Sequence, residues 1–234
     1  MMDSNPQFPL ERTHPLAMPS ANFHTHIFPD GEVMHGVKAP ELLSVEADVV
    51  FKHGVADQSV LDIGAWDGFF SFEAERRGAA RVLATDNFCW SGPGWGTRQG
   101  FEYAHHKFGS RVEALDVDVL DLDVQRIGQF DTVLFLGVLY HVKDPLRCIE
   151  LVCSLAKKTV ICDTETALDS IPEPIMRYFL GDEMNGDPTN FWAPNMKCLE
   201  AMFREFGFQH FEFTGHPLRQ NDGERARIIM HASR

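Results

Sequence analysis

The 234-residue chain is short of cations: 21 Lys and Arg stand against 34 Asp and Glu, a formal net charge of −13. Holding nucleic acid by neutralising phosphates needs a basic face, so this balance argues against that class. Cysteine is scarce as well. The five (Cys89, Cys148, Cys153, Cys162, Cys198) contain no CxxC pair and leave one over, which excludes a disulfide scaffold and fits reduced thiols, several of them core fillers. No apolar run reaches membrane-spanning length, and the N-terminus lacks the basic-then-apolar pattern of a secretory signal. A cytoplasmic protein with no membrane partner is expected. His24, His26 and His35 form the densest histidine cluster, yet no Cys or carboxylate stands at ligand spacing, so no metal is expected and they read as exposed. What remains is an ordinary globular composition, 44% hydrophobic and 24% charged, on a length that suits one generous domain.

Residues 1–20 are Pro-rich and polar and read as an arm or lead-in. Short extended pieces follow around the Pro29-Asp30-Gly31 turn, so 1–39 form an N-terminal arm or cap. From Pro40, welcome in a first turn, a helix is expected to about Lys52. Short apolar runs at 59–63, 81–85, 111–115, 132–136 and 159–162 then read as buried strands. Between them lie helical patterns, one with Phe101, Ala104 and Phe108 on a face, another with Leu146, Ile149, Val152 and Leu155 opened by Asp144 and Pro145. Leu199, Met202, Phe203 and Phe206 give a further helix ended by Gly207, and a closing hairpin fits 208–214 and 225–231. Strand–helix alternation means parallel strands with right-handed crossovers, hence a doubly wound α/β sheet spanning 40–234. Two long interruptions, FCWSGPGWG at 88–96 and the stretch 165–193, have the character of pocket walls or a lid.

The strongest local pattern is VLDIGAWDG at 60–68, where the first strand turns into a helix. Gly64 and Gly68 allow tight turning and close backbone approach at the carboxyl edge of the sheet. Asp86 closes the second strand, 24 residues after Asp62, where an acid can take two ribose hydroxyls. Asp118 follows the third strand, where a carboxylate can accept from an adenine amino group. The fourth strand ends in the polar, aromatic turn Gly137-Val138-Leu139-Tyr140-His141.

With these residues in place, the sequence resembles a class I S-adenosylmethionine-dependent methyltransferase over most of 60–211. VLDIGAWDGFFSFEAERRGA, VLATD and FDTVLFLGVLYHVKDPL are similar to the bacterial tRNA wobble-uridine carboxymethyltransferase and its shorter relatives. The resemblance implies a Rossmann-like, mostly parallel seven-stranded sheet with an antiparallel last strand, and S-adenosyl-L-methionine as cofactor. It assigns Asp62, Gly64 and Gly68 to the turn beside the methionine and ribose, Asp86 to the ribose hydroxyls and Asp118 to the adenine. Gly137 to His141 would line the space between cofactor and acceptor. Trp66 stands where many relatives carry a second glycine, which sets an indole against the cofactor or lid. The WRKGPF-type segment and the longer N-terminal domain of the tRNA enzyme have no match, so ordinary S-adenosylmethionine is the expected cofactor.

On the acceptor side Tyr140, His141 and Glu165, placed just past the fifth strand, are the candidate catalytic groups, histidine because it titrates near neutrality. Trp90, Trp95, Phe191 and Trp192 suggest an aromatic enclosure, and Asn190 a hydrogen bond to substrate. The leading expectation is methylation of a small, aromatic or heterocyclic metabolite. Three others follow: cleavage of the cofactor by its own amino group, as in methyltransferase-like azetidine-carboxylate synthases; RNA modification; and cofactor binding without catalysis. An aromatic lid also leaves a homodimer open.

Overall fold

Residues 6–20, 22–94, 97–217 and 224–234 are described by the computed structural model. Around the Pro29-Asp30-Gly31 turn two short strands, β1 (His26–Ile27) and β2 (Val33–Met34), pair antiparallel, and α1 (Pro40–Val50) starts with proline in its first turn as expected. The chain then alternates β3 (Ser59–Ile63), α2 (Phe69–Arg76), β4 (Arg81–Asp86), α3 (Gln99–Phe108), β5 (Glu113–Asp116), α4 (Val124–Ile127), β6 (Phe130–Leu136), α5 (Pro145–Leu155) and β7 (Ala156–Ala167). A small antiparallel pair, β8 (Met176–Tyr178) with β9 (Trp192–Pro194), interrupts the rhythm before α6 (Met196–Glu205), β10 (His210–Gly215) and β11 (Arg225–Ser233).

The main sheet runs β10-β11-β7-β6-β3-β4-β5. Neighbours from β7 to β5 are parallel, while β11 lies antiparallel between β7 and β10. This is the expected seven-stranded Rossmann-like sheet. Its central strands are apolar on both faces because helices cover both. Leu61, Leu83 and Val133 face α5 and α6, while Val60, Val82 and Leu134 face α1, α2 and α3. Capping follows the sequence: Asp144 accepts from Arg147 N ahead of Pro145, and Asn195 accepts from Cys198 N.

Two expectations need correcting. The fifth strand does not stop at residue 162: β11 pairs with β7 from Ser233↔Thr159 to Arg225↔Ala167, so the ladder carries the strand three residues beyond Thr164 and Glu165 lies inside it. Nor are His24 and His26 exposed. Both are buried against Asp67, whereas His35 is exposed as expected. All five cysteines are free, four of them buried.

Candidate active site at the carboxyl edge of the sheet

The loop between β3 and α2 reverses sharply. Gly64 and Gly68 have φ of +77° and +83°, and Trp66 joins them at +50°, a left-handed conformation that costs a non-glycine residue energy. Sterics demand glycine twice here. A Cβ on Gly64 would lie 2.4 Å from Val138 Cγ2, and one on Gly68 would lie 2.6 Å from the Phe72 and Phe101 rings. Trp66 is held from three sides: its N–H donates to Asp86 Oδ2 at 2.9 Å, its carbonyl accepts from Trp90 Nε1 at 2.6 Å, and its indole stacks on Phe23 at 4.5 Å and 6°. Trp90 is therefore a packing member behind the loop, under the Arg98 guanidinium and against Phe101.

Two carboxylates close in below. Asp62, 3% exposed, accepts from Ser71 Oγ at 2.6 Å, and burial, aided by the Asp86 charge, pushes it up to about 7. Asp86 is pushed up to about 6 by burial despite N–H donors from Cys89 and Trp66. Among the described residues no Lys, Arg or His lies within ion-pair distance of either. Asp118 is exposed and caps the turn at 119–121 by accepting from Leu120 N at 2.9 Å.

Sequence reading missed the group that anchors this loop from outside. Asp67 accepts from the N–H groups of Phe23 and His24 at 2.9 and 2.8 Å, pairs with His24 Nδ1, and lies 3.7 Å from His26 Nε2. Burial alone would raise its pKa; the His24 charge and hydrogen bond override that and hold it well below the carboxylate range. The alternating His24-x-His26 within an extended stretch was the available hint.

Across the edge, Gly137 (φ +73°) opens the turn after β6, and a Cβ there would lie 3.2 Å from both Arg227 Nη2 and Tyr140 Oη. The 3-10 turn Leu139–His141 is tied to the segment that wraps it: Phe191 N donates to the Tyr140 carbonyl at 2.7 Å. Thr189 Oγ1 donates to Asp187 Oδ1 at 2.7 Å, so towards His141 Nδ1, 3.0 Å away, it can only accept; the Thr189 carbonyl accepts from the same nitrogen at 3.0 Å. That fixes the proton on Nδ1 and leaves Nε2 as the basic nitrogen. Burial lowers the His141 pKa, keeping the ring neutral near pH 7, and raises that of Tyr140, keeping the phenol protonated. Behind them Arg227 holds Asp163 through three hydrogen bonds, Nε to Oδ1 at 2.9 Å and to Oδ2 at 3.2 Å, and Nη2 to Oδ2 at 2.6 Å. Glu165 lies 3.9 Å from Arg227 Nη1 and accepts from Asn185 Nδ2 at 3.2 Å. Asn190 is buried, with its Nδ2 bonded to the Met184 carbonyl, and Trp192 sits on β9 with its ring edge-on to Tyr178. Trp95 lies outside the described residues.

Glu46, Asp163 and His216 offer ligand atoms within 4.8 Å of one another. Lys38 and Arg227 already neutralise the two carboxylates, so the cluster reads as a buried ionic network. No helix among the described residues is long and apolar enough to cross a membrane.

The sheet order and the loop after β3 define a class I methyltransferase fold. A family model described as a methyltransferase domain matches residues 38–212, and the chain belongs to that family. Its structure is similar to the N-terminal domain of EvdMO1 in the presence of SAH and D-fucose, at 17% identity, a TM-score of 0.65 and 91% coverage of each chain. Magnesium protoporphyrin IX methyltransferase from Synechocystis PCC 6803 with bound SAM is similar at 19% identity and a TM-score of 0.55, over 83% of this chain and 78% of that one. In sequence it resembles the tRNA U34 carboxymethyltransferase of Helicobacter pylori (strain Shi470), 24% identical over 163 residues and 67% of this chain. The chain spans 58% of the length of that relative.

Proposed function

We propose that the chain is an S-adenosyl-L-methionine-dependent methyltransferase that acts on a small-molecule acceptor by in-line transfer. The observation that carries this is the pair of buried carboxylates, Asp62 and Asp86, set around a left-handed glycine loop with no cation beside them among the described residues. A positively charged group supplies what Asp62 lacks and hydroxyl donors what Asp86 lacks, and the cofactor carries a sulfonium, an ammonium and two ribose hydroxyls. SAM and SAH in the two structural neighbours support the same choice.

In this reading Asp62, Gly64, Trp66 and Gly68 hold the methionine and ribose portions, Asp86 takes ribose hydroxyls, Asp118 meets the adenine, and Gly137 lets the cofactor approach the turn at 139–141. When bound, the cofactor supplies an activated methyl group, so alignment and exclusion of water carry most of the rate. Trp90 backs the loop, and Asn190 and Trp192 border the acceptor. Tyr140 orients the acceptor as a donor. His141 receives its proton at Nε2, a base already neutral at the working pH. Glu165, shielded by Asn185 and Arg227, tunes this wall.

The test is to incubate the protein with S-adenosylmethionine alone and follow the small molecules by mass spectrometry. Intact, stoichiometrically bound cofactor followed by S-adenosylhomocysteine once an acceptor is supplied is the expected course. Methylthioadenosine without any acceptor would instead show cleavage of the cofactor's own side chain. His141→Ala is expected to keep cofactor affinity and to lower turnover by about 100-fold.

A further inference from the structure

On the acceptor side two buried polar atoms of opposite hydrogen-bonding sense stand without partners among the described residues: the acceptor Asn190 Oδ1 and the donor Trp192 Nε1. Asn190 is 3% exposed and has already given its amide nitrogen to the Met184 carbonyl at 2.9 Å. Folded proteins rarely leave such atoms unmet, because each loses its bonds to water. Both belong to the stretch that flanks the turn after β6, where Phe191 N reaches the Tyr140 carbonyl and Thr189 holds His141. Behind the turn the Arg227 guanidinium already faces both Asp163 and Glu165, while the Lys143 ammonium lies over the Phe191 ring at 5.9 Å. A carboxylate or a fully ionised phosphate has no hydrogen to give to Asn190 Oδ1, and a purely apolar ring leaves both the acceptor and the donor unsatisfied. A hydroxyl satisfies either, since it donates and accepts.

We propose that the acceptor is a neutral polyhydroxylated small molecule, a sugar or another polyol, whose hydroxyls bond to Asn190 Oδ1 and Trp192 Nε1 beside the 139–141 turn. The proposal rests on the methyl-transfer reading and names its attacked atom as a hydroxyl oxygen. That oxygen bonds to the methyl carbon, the carbon–sulfur bond leaves its electron pair on sulfur, and the hydroxyl proton passes to His141 Nε2.

The test uses the protein with 15N-labelled tryptophan, saturated with S-adenosylhomocysteine. The Trp192 indole N–H resonance is assigned by its loss in Trp192→Phe. Methyl α-D-glucopyranoside and D-fucose are titrated as polyol probes, with catechol and succinate as aromatic and anionic counter-probes. The expected result is a saturable shift of the Trp192 resonance with a polyol, together with about tenfold weaker polyol binding in Trp192→Phe and Asn190→Ala at unchanged S-adenosylhomocysteine affinity. Trp192→Phe removes the N–H while keeping an aromatic ring at this position, so it carries the test even where Asn190→Ala disturbs the fold. A shift produced by catechol or succinate but by neither sugar overturns the polyol assignment, as does a protein that binds S-adenosylhomocysteine and no polyol. Failure to bind S-adenosylhomocysteine at all would remove the methyl-transfer reading itself, and the acceptor assignment with it.

Discussion

At the scale of single residues, the carboxyl edge stores unmet charge. Asp62 and Asp86, at about 7 and about 6, sit above their ordinary 3.8, so they bind protons more tightly in the folded chain than in the unfolded one. Their contribution to stability is fully present below the unfolded value and is lost as the pH rises from about 4 through the folded values. A bound cation reverses the shift, so cofactor binding is expected to release protons near pH 6. Calorimetric titration in buffers of different ionisation enthalpy reads this directly, and a buffer-independent heat would remove the carboxylates from the cofactor's surroundings. Asp86→Asn is expected to weaken cofactor affinity by about tenfold or more, since it removes one acceptor oxygen from a carboxylate that also holds Trp66 and Cys89. Asp62, Asp86 and the glycines were legible in the sequence because a turn at a strand's end leaves a spacing in the chain. Arg227 and Asp163 were not. Their meeting depends on β11 pairing with β7 across 64 residues, which no local pattern records.

At the scale of elements, the N-terminal segment is part of the scaffold of the loop at 64–68. Phe23 stacks on Trp66, and Asp67 accepts from the backbone at 23 and 24 as well as pairing with His24. His24→Ala leaves a buried carboxylate short of its partner and is expected to cost about 3 kcal/mol in urea denaturation. Since Asp67 adjoins Trp66, cofactor affinity should fall in the same variant; full affinity alongside the lost stability would show that the segment only braces the fold. The folded Asp67 value is depressed, so this pair stabilises above the unfolded value of 3.8 and the benefit fades as the pH falls below it. The alternation of strands and helices was readable because its periodicities are local. The histidines were misread as exposed because the carboxylate that buries them lies 43 residues away.

At the scale of the whole molecule, the net charge of −13 bears on partner choice. The likeness to a tRNA-modifying enzyme invites an RNA substrate, but phosphate neutralisation is the source of most non-specific affinity and depends steeply on salt. Filter binding with bulk tRNA is expected to show no retention even at low ionic strength; salt-sensitive retention would bring RNA back as the acceptor. The strand–helix alternation, the doubly wound sheet and the closing hairpin were visible in pattern, and the seven-stranded form in the family resemblance, whereas the segment at 168–194 follows no periodic rule and takes its shape from contacts with the turn at 139–141.

The placement of β11 between β7 and β10 also imposes a timetable on synthesis. Every other strand of the main sheet leaves the ribosome before it does. Until it arrives, twelve-residue β7 offers a bare edge of N–H and C=O groups, the kind of edge to which other chains add. Asp163 meanwhile waits in that strand for a counter-ion that is among the later residues to be made. A ribosome that stalls shortly before residue 225 therefore releases a nascent chain with nearly all of its core sequence and an open seam, and chaperone occupancy during translation should peak there.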